Sequence, residues 1–364
     1  MHRNTATIES KDISVVVQGM PCAETLPILA KIRKLLPKSE IILSTWEGVD
    51  AERFEGTADR VVLSKDPGSG VNCFSNGPIY HNNFNRQLVS TRAGIRASTR
   101  KFVIKTRTDF SLDSLDFLTH WDDFPVRNPK FCLFNHRIIV PSLYSRFFSD
   151  CTGLATPFHP SDIFAFGLKE DISLLFCSAP LMTDEELSFW AHKYPTRNPY
   201  SGNTWRWSPE QTFFIAAVKT KFPDVHFDDW TDFEKSDYIL SEHLILNNFV
   251  FLDPCQIALN SKKHQHAIGL ANNGQINGLI TNNRFMAFYA RDLDPDAAPA
   301  QMPAGQAQAP VVQLTQLDLK RIHLKHRYHV HKQRAAAPIK AFFHWLGEPF
   351  CYLYYLVRYK LFKR

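Results

Sequence analysis

From Ile13 to Phe110 the chain alternates short apolar runs with longer stretches of helical period. Ile13–Val17 (ISVVV), Glu40–Thr45 (EIILST), Arg60–Ser64 (RVVLS) and Lys101–Thr106 (KFVIKT) are too short for helices and rich in β-branched residues, which predicts buried strands. After the first of these, Leu26, Leu29, Ile32 and Leu36 recur at helical spacing, predicting a helix over Thr25–Leu36 that Pro37 ends. Before the last, Phe84, Leu88 and Ile95 share one helical face and leave Arg86, Gln87, Arg92 and Arg96 to the others. The resulting β-α-β-β-α-β order implies a largely parallel sheet. Its C-terminal edge gathers four polar or Gly-containing exits: Gln18-Gly19-Met20-Pro21, Thr45–Gly48, Ser64–Gly68 and Arg107-Thr108-Asp109. An open α/β sheet keeps its ligand at that edge, so Gln18, Asp66, Arg107 and Asp109 are expected to converge there.

The second half is less regular. Lys130–Phe134 (KFCLF) and Asp162–Gly167 (DIFAFG) read as strands, and Asp184–His192 as a helix. Ser208 is a good N-cap, Pro209 suits the first helical position, and Glu210 falls in the first turn of a helix running through Thr212–Val218. Glu210 is therefore either a capping carboxylate at the helix dipole or a general base in a pocket with Trp205 and Trp207. His264 and His266 are either late metal ligands or solvated loop residues. Residues 294–312 are rich in Pro, Ala and Gln without apolar periodicity, which predicts a flexible linker. The expected organisation is a leader (1–11), one α/β domain (12–293), the linker and a tail (313–364).

Composition adds two constraints. With 364 residues, 44% of them hydrophobic, the chain can fill the core of one large α/β domain or two ordinary ones. The formal net charge of +6 is uneven: from Lys320 onward 11 Lys and Arg face Glu348 alone, leaving 31 basic and 35 acidic residues before it. That tail places KRIHLKHRYHVHKQR ahead of an aromatic-rich segment interrupted by Glu348 and Pro349. The pattern suits an interfacial anchor on an anionic membrane; a helix packed on the domain is the other reading. Nucleic acid is not expected as a partner, because no recognised module accompanies the charge. The seven cysteines are scattered and never spaced CxxC, so neither a zinc site nor a disulfide framework is expected. MHRNTATIESKD has no apolar core of a signal peptide, and no apolar run reaches the roughly 18 residues of a membrane span. The expected location is cytoplasmic, peripheral on the inner membrane.

Seven blocks together carry a resemblance: SVVVQG (14–19), EIILSTWEG (40–48), VVLSKDPG (61–68), NNFNRQLVSTRAG (82–94), KFVIKTRTD (101–109), SDIFAFG (161–167) and PEQ (209–211). The chain resembles the WavE lipopolysaccharide-synthesis family, bacterial proteins similar to GT-A glycosyltransferases. The resemblance implies a GT-A-like, Rossmann-like sheet and transfer of a sugar from a nucleotide-sugar donor to a cell-surface glycan or lipid-linked glycan. It implies that Gln18 and Gly19 meet the nucleotide and Asp66 its base or ribose. Asn83, Arg86, Lys105 and Arg107 would serve the phosphates or donor sugar, with Asp162 and Glu210 competing as base. GT-A enzymes carry a DxD motif for Mn²⁺ or Mg²⁺ where this chain has Arg107-Thr108-Asp109. Either Arg107 supplies part of the cation's charge, or Asp109 holds a single metal ion or the ribose. Glycosyl transfer independently requires charge stabilisation at the leaving diphosphate and, where the anomeric centre inverts, a carboxylate for the acceptor hydroxyl. Two other readings are a nucleotidyltransferase, for which QGMPCAET is a poor phosphate loop, and a non-catalytic scaffold docking through the tail.

Overall fold

A computed structural model describes residues 8–72, 80–147, 155–189, 205–229, 232–233, 235–276 and 278–297. Most of the expected linker and the whole expected tail lie outside the described residues. The chain begins with β1 (Ile13–Gln18), α1 (Thr25–Leu35), β2 (Glu40–Trp46) and β3 (Arg60–Ser64). A hairpin of β4 (Gly70–Asn72) and β5 (Tyr80–Asn82) leads into α2 (Phe84–Ala97) and β6 (Phe102–Arg107). Next come β7 (Ser111–Leu112), β8 (Ile138–Pro141), β9 (Ala165–Leu168), α3 (Lys169–Cys177), α4 (Asp184–Leu187) and α5 (Pro209–Lys219). The last part holds β10 (Phe227–Asp229), β11 (Asp232–Phe233), α6 (Lys235–Asn248), β12 (Phe249–Leu252), α7 (Pro254–Ile257), β13 (Leu259–Asn260), α8 (Gln265–Asn272) and α9 (Asn282–Asp292).

Seven strands form one sheet in the order β12-β8-β9-β6-β1-β2-β3. Every neighbouring pair is parallel except those of β9, which runs antiparallel to β6 and β8. The β3-β2-β1-β6 portion has the order of a Rossmann-like half, with its switch point between β1 and β6. The crossovers β1-α1-β2 and β3-α2-β6 travel in opposite directions along the sheet. Right-handed connections therefore set α1 and α2 on opposite faces. α3 packs on α2, and α5 on α3. This is the largely parallel α/β sheet, with helices packed on it, that the alternating strands and helices of the sequence predict.

β1 and β2 are buried along their whole length, as their uninterrupted apolar runs require. α2 lies so close to them that a Cβ on Gly94 would meet Val16 Cγ1 at 2.4 Å. The second half departs from expectation in particular places. KFCLF is not a strand: Pro129–Phe131 forms a 3₁₀ turn whose Lys130 amide donates to the Asn128 side chain. The Asn248 side chain then accepts from the amides of Leu133 and Phe134 and donates to the Phe131 carbonyl, taking the place of a neighbouring strand. Strand β9 starts at Ala165, so Asp162 precedes it in a loop. Helix α4 spans only Asp184–Leu187, and residues 190–192 lie outside the described residues.

Candidate functional site

The register of β1 against β6 sets Gln18 opposite Arg107 at the C-terminal edge. Gln18 is 3% exposed and its Oε1 accepts from Ser90 of α2 at 2.7 Å, so it forms part of the floor. Gly19 adopts φ 120°, a conformation open to glycine, and its turn lets Thr108 Oγ1 donate to the Met20 carbonyl. Arg107 grips Asp109 through Nε and Nη2, at 2.9 and 2.8 Å. The Arg107 guanidinium also lies over the Phe110 ring.

His264 closes on this pair from the far end of the sequence. Its ring stacks on Phe110, its Nδ1 lies 3.2 Å from the Tyr144 hydroxyl, and its Nε2 faces Asp109 Oδ2 at 3.9 Å. Nε2 is buried and has no hydrogen-bond partner. Both oxygens of that carboxylate are already held by Arg107, and a guanidinium stands beside the imidazole, so the residues present do not fit the Mn²⁺ or Mg²⁺ that the resemblance implies. Among the described residues no group of three or more His, Cys, Asp or Glu side chains could hold one. His266 is exposed.

Asp162 and Glu210 gather around Lys105. The Lys105 ammonium is fully buried and donates to the Asp162 carbonyl; burial pulls its pKa down to about 8. It therefore sits beneath the edge, in the interior of the domain. Asp162 is 5% exposed and accepts from Gln87 at 2.6 Å. Burial raises its pKa first, and repulsion from Glu210 raises it further. Burial also raises that of Glu210, against stabilisation by its own amide, Ser208, Arg146 and Lys105. Gln211, not Glu210, is the reciprocal partner of Ser208 in the capping box, and the Glu210 carboxylate lies 3.8 Å from His159 Nε2. His159 is deeply buried, which lowers its pKa to about 3 and keeps it neutral.

A second cluster sits where β3 ends and α2 begins. Arg86 binds both oxygens of Asp66, at 2.8 and 2.7 Å, and donates to Asn83 Oδ1 at 2.9 Å. The pair is about one-third exposed, and it lowers the pKa of Asp66 chiefly through this hydrogen bonding. Gln87, the next residue of α2, ties the cluster's helix to Asp162. Sequence reasoning missed Tyr144 and His159, which carry no motif; the turn HPS before DIFAFG was the only signal near the latter.

The C-terminal edge of the sheet, where open α/β sheets keep their ligands, thus collects basic groups, carboxylates and an imidazole. A family model described as WavE lipopolysaccharide synthesis matches residues 13–302, and the chain belongs to that family. No curated protein matches the chain. Among solved structures it is similar to the mannosyltransferase PcManGT from Pyrobaculum calidifontis in complex with GDP-Man and Mn²⁺, at 12% identity and a TM-score of 0.30, covering 93% of this chain and 88% of that one. It is also similar to S. aureus TarS 1–349, at 9% identity and a TM-score of 0.29, covering 89% and 90% respectively.

Proposed function

We propose that the protein is a glycosyltransferase that moves a sugar from a nucleotide-sugar donor to a hydroxyl of a lipopolysaccharide-core, O-antigen or capsule acceptor. The observation that carries this reading is the meeting, at one sheet edge, of the Arg107–Asp109 pair with the buried acids Asp162 and Glu210. The donor's nucleotide would lie over Gln18 and Gly19, with Asp66 near its base or ribose. Arg86 and Arg107 would face the diphosphate, whose growing negative charge needs fixed cations as the glycosidic bond breaks. Glu210 would take the proton of the acceptor hydroxyl while its oxygen attacks the anomeric carbon and the bond electrons leave with the phosphate. Its raised pKa suits that task.

The catalytic domain is taken as residues 12–293, with the basic aromatic tail (313–364) holding it to the anionic cytoplasmic face of the inner membrane near a lipid-linked acceptor. Among the described residues no helix is long and apolar enough to cross a membrane. A thermal-shift panel of nucleoside diphosphates and nucleotide sugars, with and without Mn²⁺, tests the donor site. Ligand at 100 times its Kd adds about 2.7 kcal/mol of stability. The wild type should respond to one nucleotide class and Asp109→Asn should lose that response; a wild type stabilised by no nucleotide defeats the reading.

A further inference from the structure

The turn that ends β6 is tightly fixed. The Thr108 amide donates to the Gln18 carbonyl at 3.0 Å, its hydroxyl donates to that of Met20 at 2.8 Å, and the Phe110 amide donates to that of Arg107 at 3.2 Å. In this turn Asp109 takes one edge of the Arg107 guanidinium, an oxygen each to Nε and Nη2, at 2.9 and 2.8 Å. The guanidinium also lies over the Phe110 ring, 5.4 Å from its centroid. A guanidinium is a rigid fork with donors on more than one edge. Among the described residues Asp109 alone accepts from Arg107, so both N–H groups of Nη1 and the second of Nη2 are left on the other edge. The side chain is 26% exposed, enough for a ligand to reach that edge. Arg86 differs, because Nε and Nη2 already donate to Asp66 and Nη1 to Asn83.

The same contacts close off Asp109. Arg107 holds both of its oxygens, and the His264 ring, stacked on Phe110 and next to the Tyr144 hydroxyl, brings Nε2 to 3.9 Å from Oδ2. A metal ion would have to displace the guanidinium from this carboxylate and then stand against its positive charge. As a clamp the carboxylate is well placed, because it sets which edge of Arg107 faces outward. The geometry of that edge matches two oxygens of a phosphoryl group. Lys105, buried behind the turn, keeps a pKa of about 8 and so adds a second positive charge at neutral pH. Breaking a bond to a diphosphate needs fixed positive charge at the leaving oxygens, and a guanidinium held in this way supplies it.

We propose that Arg107 takes the donor's diphosphate directly, that Asp109 is a positioning residue for its guanidinium and not a metal ligand, and that donor binding at this edge requires no divalent cation. The proposal rests on the transferase reading. It is tested by calorimetric titration of the full chain with UDP, GDP, CDP, ADP and dTDP, in EDTA and then in Mn²⁺. One of these should bind in EDTA with a Kd within about twofold of its value in Mn²⁺. Arg107→Lys keeps the charge and loses the fork, and should weaken that binding about ten- to a hundredfold. Asp109→Asn removes a negative charge beside an anion, which on charge alone would tighten binding; it should weaken it instead, because the guanidinium is no longer held. Arginine ¹⁵Nε–¹Hε spectra, with Arg107→Lys assigning the resonance, follow the clamp without nucleotide: a sharp wild-type signal should be lost to water exchange in Asp109→Asn. Binding that appears only with Mn²⁺ overturns this inference and leaves the transferase reading standing. Undiminished binding by Arg107→Lys or Asp109→Asn, or an equally sharp Arg107 signal in Asp109→Asn, also overturns it. Binding of none of the five with or without Mn²⁺ removes both.

Discussion

Gly94 shows how closely single residues are constrained. With 2.4 Å between a built Cβ and Val16 Cγ1, and 3.0 Å to Ser44 Cβ, an alanine there must push α2 off the sheet. Gly94→Ala should lower stability by about 1–3 kcal/mol, the usual cost of overpacking, as read from urea denaturation. Unchanged stability would mean that the helix has slack at this contact. The STRAG stretch around it was legible as part of a helix, but the steric reason for the glycine needed the facing strand. The same division holds in the site. Asp109 stands out in sequence as an acid at a strand end, and Asp162 and Glu210 as acids near an apolar strand and a helix start. His264 and Tyr144 do not stand out, because their roles arise from contacts across 120 residues and no local pattern encodes them. Lys105 was legible as a site residue but not as a buried one, since a lysine within FVIKT gives no sign of which face receives it.

At the scale of elements, the α6–α9 contact carries an acid at an energetic cost. Burial raises the pKa of Glu242 on α6 to about 7, with Arg291 and Asp292 of α9 pulling in opposite directions and Tyr238 nearby on its own helix. The folded-state pKa lies above the ordinary carboxylate value, so the folded chain holds this proton more tightly than the unfolded chain. Stability is therefore lost as pH rises from about 4.5 to about 7, by up to about 3 kcal/mol. Glu242→Gln removes that titration. Its Tm relative to wild type should rise between about pH 5 and about pH 8, and parallel pH profiles would show that Glu242 ionises freely. Elements with strong periodicity, such as β1, β2, α2 and β6, were legible because burial on both faces or on one stripe leaves a plain pattern. Strands β8 and β12 were not, because IIVP and FVFL are four-residue apolar runs that a helix or a loop could equally contain. KFCLF has the composition of a strand, but Pro129 and the Asn248 side chain divert its backbone hydrogen bonds.

At the scale of the whole molecule, the sheet order was only partly accessible from sequence. Alternating strands and helices announce the parallel half, whereas the reversed β9 depends on which strands it joins. The tail sets the remaining prediction. Each basic side chain near an anionic leaflet contributes about 1 kcal/mol, so deleting residues 311–364 should release the protein from anionic vesicles in a sedimentation assay while leaving a soluble domain. An insoluble product would show instead that the tail completes the core. The position of β6 also bears on how the chain is made. Its partner β1 precedes it by 89 residues at the Ile13–Phe102 pairing, whereas its other partner, β9, is translated only after a further stretch containing β7 and β8. A nascent chain that has just released Arg107 therefore exposes the open edge of an apolar strand until Ala165–Leu168 emerges. That interval leaves an edge able to pair with a neighbouring copy.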